Sequence, residues 1–238
     1  MKAADWSAID DRPIPLAGRR GEVLELAGAL QARQSRLITA PPGMGKTRLL
    51  AEAVSGCAAP WVLIRSPRVL HDLLAQLAGM LACRAAGATS TSLKAAVLGS
   101  LKHDPRAVFL EDVADADPRM YRFLQAIYHS PGSCLIVTAR SRESLGYVRR
   151  LLWDPREEIR LQPLQRAEAA GLFAAAVAAY KLDSLDLDGF RSQVLRSARG
   201  NPGQIVTMCR LAARPEYRLG RRVKFLPLRM DALPAFIG

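Results

Sequence analysis

A short glycine-rich stretch has the residue types needed to hold phosphate groups. It reads Ala40-Pro-Pro-Gly-Met-Gly-Lys-Thr47, and its glycines allow the tight turn that points successive backbone N–H groups at one anion. Lys46 supplies a cation for the β and γ phosphates, and the Thr47 hydroxyl supplies a ligand for Mg²⁺. The residues expected to surround the phosphates are Pro42, Gly43, Met44, Gly45, Lys46, Thr47 and Arg48. The chemistry indicated is the binding of a nucleoside triphosphate with Mg²⁺.

The neighbouring sequence supports this interpretation of the glycine-rich stretch. The short apolar run "SRLITA" (35–40) predicts a buried strand before it, and helical spacing resumes from Lys46 to about Val54. Strand, loop and helix in this order are the context of the P-loop pattern G-x4-G-K-[ST], here with Ala40 in the first position. The N-terminus of the following helix adds further N–H groups for the phosphates.

A pair of acidic residues follows a second apolar run, "AVFLED" (107–112). A P-loop enzyme that hydrolyses its nucleotide needs such acids at the end of a neighbouring strand. We assign Glu111 to the magnesium side and Asp112 to the activation of water. Asp112 is one methylene shorter than the glutamate usual for this base, so slow hydrolysis is expected. The alternative is that both are solvated surface acids.

The pattern of the chain up to residue 164 alternates strands with helices. This alternation predicts an α/β fold, a P-loop NTPase with a parallel five-stranded sheet sandwiched by helices. Buried strands are predicted at 35–40, 61–65, 107–113, 134–140 and 158–164, and helices at 21–33, 46–54, 67–83, 91–102, 118–128 and 141–152.

After residue 165 the pattern is helical throughout. Helices are predicted at 165–180, 186–199 and 203–213. The tail 221–231 is predicted to form a last short strand, which Pro227 restricts to the edge of a sheet. We therefore expect two parts, a nucleotide-binding α/β core at 1–164 and a small helical lid with a basic tail at 165–238.

Positive charge is concentrated near the C-terminus. The chain carries 34 Lys and Arg against 22 Asp and Glu, a formal net charge of +12. Residues 191–238 hold two acids and ten basic residues, namely Arg191, Arg196, Arg199, Arg210, Arg214, Arg218, Arg221, Arg222, Lys224 and Arg229. Such a field attracts polyanions, which makes DNA a candidate partner. The alternative is an arginine-rich genomic bias.

Other sequence features indicate the cellular compartment and the state of the cysteines. The N-terminal "MKAADWSAIDDRPIP" has acids where a signal peptide needs an apolar region, and the apolar run 169–180 is too short to cross a bilayer. A soluble, cytoplasmic protein without a membrane partner is expected. The four cysteines lie far apart without a CxxC pair, which favours ordinary buried thiols over a zinc site or disulfides.

Four further motifs make the sequence resemble the AAA+ and STAND branch of P-loop ATPases. "LAGRRGE" (16–22) is similar to the hhGRxxE element that precedes the P-loop, and "LIVTAR" (135–140) is similar to the sensor 1 strand. "LQPLQRAEAAGLF" (161–173) resembles the opening of the helical lid, and "GNPG" (200–203) resembles the G-x-P motif of the lid. The order and spacing of these motifs make the resemblance more specific than any one of them.

The resemblance implies roles for individual residues around bound ATP. It places Gly18 and Arg19 at the edge of the adenine, Arg140 at the γ-phosphate and Pro202 on the lid side of the base. It also implies that a neighbouring subunit supplies an arginine finger, with Arg149, Arg150 and Arg156 as candidates. The resemblance thus implies a homo-oligomer as the working form.

The sequence departs from the family in ways that limit the functional assignment. The acids that follow its third predicted strand run Glu111-Asp112, and we expect no winged-helix or repeat module after the lid. We expect an ATP-driven switch that assembles on DNA to assist another DNA-processing machine, such as a transposase or replication factor. The alternative is a regulatory STAND-type ATPase that acts through a partner protein without nucleic acid. A small-molecule kinase is the third hypothesis.

Overall fold

The computed structural model describes residues 14–57, 60–83 and 89–233. A parallel five-stranded sheet, with strand order β2-β3-β4-β1-β5, is its main feature, and a short antiparallel pair, β6 and β7, lies further along the chain. The strands are β1 Arg36–Thr39, β2 Trp61–Arg65, β3 Ala107–Glu111, β4 Cys134–Ala139, β5 Glu158–Arg160, β6 Arg218–Leu219 and β7 Arg222–Val223. The predicted α/β fold with five parallel strands is confirmed.

Helices occupy most of the remaining chain. They are α1 Arg20–Gln31, α2 Lys46–Ser55, α3 Leu70–Met80, α4 Ser90–His103, α5 Pro118–Tyr128, α6 Arg166–Tyr180, α7 Leu187–Ala198, α8 Pro202–Ala212 and α9 Phe225–Ala232. Among these described residues, no helix combines the length and the apolar character that crossing a bilayer requires.

The chain forms two compact units. The sheet unit comprises Gly21–Ala40 and Leu50–Arg160, and the described part of the helical unit comprises 14–20, Pro41–Leu49 and 161–233. The glycine-rich loop therefore groups with the helices that follow β5, and α2 begins in the helical unit and ends in the sheet unit.

Two neighbouring strands of the sheet unit, β3 and β4, are buried along their whole length. A parallel sheet covered on both faces requires such burial. Apolar side chains of α3, α4 and α5 join those of the sheet in one core cluster, in which Phe123 and Leu124 of α5 are fully buried. Because all five strands are parallel, their carboxyl ends share one edge of the sheet, where site residues are expected.

The helical unit has its own core and well-defined helix ends. Phe173 of α6, Phe190 of α7, Met208 of α8 and Leu228 of α9 belong to one buried cluster. Helix α6 begins with a capping box, in which the Glu168 carboxylate accepts a hydrogen bond from the Gln165 backbone N–H at 2.8 Å. The capping box defines the residue at which α6 begins.

The segment 141–152 differs from the helix predicted there. It forms 3-10 turns over Glu143–Arg150, interrupted at Gly146, where φ is 58° and ψ is −131°. A Cβ atom at this glycine would lie 2.7 Å from the backbone N and O of Ala116, so the chain passes too close for any other residue. The helical spacing of the apolar residues was therefore misleading.

Strand β5 and the C-terminal tail also differ from the prediction. Strand β5 ends at Arg160 rather than continuing to 164. In the tail, only Arg222–Val223 is a strand within 221–231, and Phe225–Ala232 is helical. Pro227 is the third residue of α9, where its missing N–H costs no helical hydrogen bond because the first N–H groups of a helix have no partner within it. Its predicted place on an edge strand was wrong.

Burial makes two of the thiols unreactive. It raises the pKa of Cys134 to about 11 and that of Cys209 to about 12, so both remain protonated at neutral pH.

Candidate functional site

The glycine-rich loop has the backbone conformation that a phosphate-binding loop needs. Gly43 and Gly45 have φ values of 79° and 90°, which only glycine adopts without strain. Helix α2 begins directly afterwards at Lys46, and the Leu49 N–H donates to the Gly45 carbonyl at 2.9 Å. Lys46 and Thr47 therefore lie in the first turn of a helix whose N-terminal N–H groups favour an anion.

Helix α8 holds this loop through two hydrogen bonds. The Asn201 side-chain Nδ2 donates to the Pro42 carbonyl at 2.9 Å, and the Gly203 N–H donates to the Gly43 carbonyl at 2.8 Å. The Oδ1 atom of Asn201 also caps α8 by accepting from the Gln204 N–H at 3.1 Å. One side chain thus positions both the phosphate loop and the start of α8, a role that the sequence analysis did not predict.

Replacement of Asn201 separates these two functions. We expect Asn201→Ala to lose the cap and the loop contact together, which lowers the free energy of unfolding by about 1 to 2 kcal/mol. Asn201→Ser keeps a capping hydroxyl on a shorter side chain, so we expect near-normal stability with ATP affinity reduced about fivefold. Thermal unfolding and nucleotide titration of both variants check this. Normal ATP affinity in both would contradict a role in positioning the loop.

A small apolar cavity adjoins the loop within the helical unit. Its volume is about 200 Å³, and Gly43, Gly45 and Arg48 contribute to its wall. Its apolar lining includes Ile14, Leu16, Ala17, Leu172, Pro202 and Val206. Arg48 donates to the Ile14 carbonyl at 2.8 Å, which fixes one side of the wall. A flat aromatic base beside a phosphate loop needs such an apolar slot.

Two of the three residues expected around the adenine line this cavity, and the third, Gly18, does not. Arg19 and Pro202 line it, and the Arg19 guanidinium donates to the Gln162 carbonyl. Gly18 has a different environment, because a Cβ atom there would lie 2.4 Å from Cδ of Glu168. Gly18 thus leaves room for the carboxylate that caps α6, while its contact with adenine stays a prediction.

The predicted catalytic acids lie at the carboxyl edge of the sheet unit. Glu111 is buried at the end of β3, and its Oε2 lies 3.7 Å from Nε of Arg65 on the neighbouring strand β2. Asp112 is exposed, with a left-handed φ of 51°, and its N–H donates to the Thr138 hydroxyl at 3.0 Å. Aspartate adopts this left-handed conformation more readily than most residues, and the catalytic role of Asp112 stays a prediction.

Asp112 and Arg140 line one cleft of about 330 Å³. Arg140 is the residue predicted to contact the γ-phosphate. Arg140 follows β4 directly and is exposed. Ser66 and Arg68, which follow β2, line the same cleft and were missed by the sequence analysis. The sequence contains a signal for Arg68, because this residue lies three residues beyond the carboxyl end of β2. In a parallel sheet, site residues gather at that edge.

A charged network fastens the strand that leads into the phosphate loop. Glu158 of β5 accepts hydrogen bonds from Thr39 at the end of β1 and from Arg142, whose Nη2 lies 2.9 Å from Oε2. Arg160 adds an ion pair at 3.3 Å. Burial alone would raise the pKa of Glu158, but the hydrogen bonds from Thr39 and Arg142 and the nearby arginines hold this pKa below its usual value.

The lowered pKa of Glu158 gives a pH-dependent contribution to stability. It is present above the ordinary pKa of a glutamate and is lost as the pH falls through the lower value in the folded protein. We expect Glu158→Gln to lower the free energy of unfolding at pH 7 by about 2 kcal/mol and to make the acid side of the stability profile flatter. Denaturant unfolding between pH 3 and pH 7 measures both effects. A parallel downward shift of the profile at every pH would contradict the network.

The three candidate finger residues differ in their surroundings. Arg149 and Arg150 are exposed in the 3-10 segment after β4, and the Arg150 guanidinium lies 5.1 Å from the centre of the Tyr147 ring. Arg156 is exposed and pairs with Asp154 at 2.7 Å. The choice among the three stays open.

Comparison of sequences finds no relative for this chain, whereas comparison of structures finds many. No protein-family model and no curated protein matches it. The Walker-type ATPase PABY2304 of Pyrococcus abyssi is similar, with a TM-score of 0.63 and 15% identity over 94% of this chain and 73% of that one. The R170A variant of RuvB from Thermotoga maritima has a TM-score of 0.60 with 15% identity, covering 93% and 72%.

A third similar structure is a STAND protein with a tetratricopeptide repeat sensor, PH0952 from Pyrococcus horikoshii. Its TM-score is 0.54 with 18% identity, and the match covers 93% of this chain and 33% of that one. The present chain thus spans about a third of that protein. Together with the sheet order and the strand–loop–helix at residues 36–55, these likenesses define the class of the fold: the chain has the P-loop fold of AAA+ and STAND ATPases.

Proposed function

We propose that this protein binds ATP with Mg²⁺, hydrolyses it slowly and works as a molecular switch. The observation that carries the proposal is the arrangement inside the helical unit. There, a loop with two left-handed glycines leads into a helix N-terminus and forms part of the wall of an apolar cavity. A phosphate site and a base-sized slot on one loop are the two features that nucleotide recognition requires.

The residues present fit the proposed cofactors. Lys46 and the first turn of α2 suit the triphosphate, and Arg19 and Pro202 border the slot for the base. In our proposal Thr47 and Glu111 hold the Mg²⁺, whose chemistry is to neutralise charge on the phosphate oxygens. Asp112 orients and deprotonates the attacking water, while Arg140 stabilises charge at the γ-phosphate. Measurement of ATP affinity with and without Mg²⁺ tests this part.

The switch has a direct structural route within the helical unit. Hydrogen bonds from Asn201 and Gly203 join the start of α8 to the carbonyls of Pro42 and Gly43. A change in the conformation of the loop on nucleotide binding therefore reaches α8 without an intermediate element. The functional division into a core at 1–164 and a lid at 165–238, which counts the glycine-rich loop with the core, is part of this proposal. So is a cytoplasmic homo-oligomer completed by an arginine finger.

We further propose that the switch assembles on DNA and assists another DNA-processing machine. The support is the basic C-terminal segment, in which nine of the ten basic residues are exposed and Arg218 is half-buried. Exposed arginines release counterions from DNA on binding, so affinity should fall steeply with salt. Filter binding to duplex DNA at two salt concentrations, with and without ATP, tests the proposal. Absent or salt-insensitive binding would contradict it.

The alternative is a regulatory ATPase that acts on a partner protein without nucleic acid. The likeness to a STAND protein with a tetratricopeptide repeat sensor favours this alternative. It predicts that ATP-dependent oligomers form without DNA and that DNA leaves the hydrolysis rate unchanged. Light scattering of the protein in ATP and in ADP, with and without duplex DNA, distinguishes the two.

A further inference from the structure

Helix α7 lies between two clefts of the helical unit that share one arginine. The first cleft, of about 750 Å³, is lined by Arg196, Arg199 and Arg229. The second, of about 650 Å³, is lined by Arg166, Arg191 and, again, Arg196. Because Arg196 borders both, the two clefts form one basic surface on either side of α7. We call the five arginines of this surface the α7 arginines.

The charge of this surface is not neutralised locally. All five α7 arginines are exposed, and Asp188 is the acidic residue that lines the second cleft. Within the part of the chain that the structure describes, none of the five forms an ion pair with a carboxylate. Five guanidinium groups with one acid lining their clefts form a field that a polyanion would neutralise.

The shape of the surface favours an elongated occupant over a single small anion. Phe190, Val194 and Ala198 of α7 are buried. The polar residues of α7 line the clefts: Gln193 and Ser197 the first, Ser192 the second and Arg196 both. The major groove of duplex DNA admits a helix, and phosphate backbones flank the groove on both sides. A polar helix with arginine-lined clefts on both sides is complementary to that arrangement.

We infer that the α7 arginines are the surface on which this protein binds duplex DNA, through the phosphodiester backbones on either side of α7. This inference rests on the DNA-binding part of the proposed function and makes it specific. It assigns binding to α7 and its neighbours rather than to the whole basic tail. It also adds Arg166, which lies outside the basic segment found in the sequence.

The test compares two variants that each lose three positive charges. The first, R196Q/R199Q/R229Q, changes the first cleft. The second, R210Q/R214Q/R222Q, changes three exposed arginines that do not line either cleft. Fluorescence anisotropy with a 30-base-pair duplex, read across a salt series, gives the affinity and its salt slope. Polyglutamate is the competing acidic polymer, and ATP affinity without DNA is measured in parallel.

For the first variant, R196Q/R199Q/R229Q, we expect DNA affinity to fall by about 10- to 100-fold near 0.1 M salt, with a salt slope shallower by about 2 to 3. We expect the matched variant to stay within about threefold of the unmodified protein, and polyglutamate to compete poorly. If the triple variant unfolds at lower temperature, the single charge reversal R196E on exposed α7 gives the same comparison.

Three outcomes would overturn the inference, and a fourth would refute the proposed function on which it rests. Equal losses in both variants would show diffuse attraction and leave DNA binding itself standing. Effective competition by polyglutamate would point to an acidic protein partner. Weakened ATP binding without DNA would assign these arginines to the nucleotide site, since Pro41 and Met44 of the loop line the same cleft. No DNA binding by the unmodified protein would instead refute the proposed function.

Discussion

Lys46→Ala is expected to abolish ATP binding. Lys46 is buried in the first turn of α2, and in the proposed site its ammonium group is the main cation for the β and γ phosphates. Removing a charged partner from a bound phosphate costs about 3 kcal/mol, which corresponds to a loss of affinity above about 100-fold. Calorimetric titration with ATP in excess Mg²⁺ measures the effect.

The control for this variant is Lys102→Ala, which removes one positive charge from the exposed last turn of α4. Both variants change the net charge equally, so a difference between them reports the site rather than long-range attraction. Circular dichroism confirms that each variant is folded. If Lys46→Ala bound ATP as well as the control variant, the loop would not be the phosphate site.

Asp112→Asn is expected to leave ATP binding intact and to stop hydrolysis. The amide has the shape of the carboxylate but cannot accept the proton of the attacking water, and a general base contributes about 10²- to 10⁴-fold to a rate. The protein should therefore accumulate in its ATP-bound state. Nucleotide retained after gel filtration, identified as ATP or ADP, and single-turnover hydrolysis measure the two parts.

Glu111→Gln is the natural comparison for this variant, because the two acids are adjacent and were assigned different roles. Glu111 is buried beside Arg65, whereas Asp112 is exposed in the cleft with Arg140. We expect Glu111→Gln to raise the Mg²⁺ concentration needed for half-maximal hydrolysis, which Asp112→Asn should not do. Normal hydrolysis by Asp112→Asn together with inactive Glu111→Gln would reverse the two assignments.

Local sequence signals were sufficient for most of the fold. Strand β2 and helix α5 have the predicted bounds, because a continuous apolar run marks the first and Asp117 caps the second, accepting a hydrogen bond from the Met120 N–H at 2.7 Å. The prediction failed where a contact distant in sequence decides. At Gly146 the close approach of Ala116 breaks the helix, and no pattern within 141–152 contains that information.

In the site, too, local sequence predicts some features, and contacts distant in sequence decide the others. The phosphate loop could be predicted because one segment carries all of its groups, whereas the role of Asn201 depends on a hydrogen bond to Pro42, 159 residues earlier in the chain. The "GNPG" motif, which contains Asn201, is predicted to matter only through the family resemblance. Likewise, the charge count found the basic segment but could not show which arginines face the same clefts, since that depends on how α7 packs.

Whether this protein is an ATP-driven switch is tested by its steady-state rate of ATP hydrolysis. The rate is measured with and without duplex DNA, for the unmodified protein and for Asp112→Asn. We predict a low basal rate, well below the median enzyme turnover of about 10 per second, that rises with DNA and disappears in the variant. A rate indifferent to DNA would favour the protein-only alternative. Absence of both ATP binding and hydrolysis in the unmodified protein would contradict the account of this molecule as an ATP-driven switch.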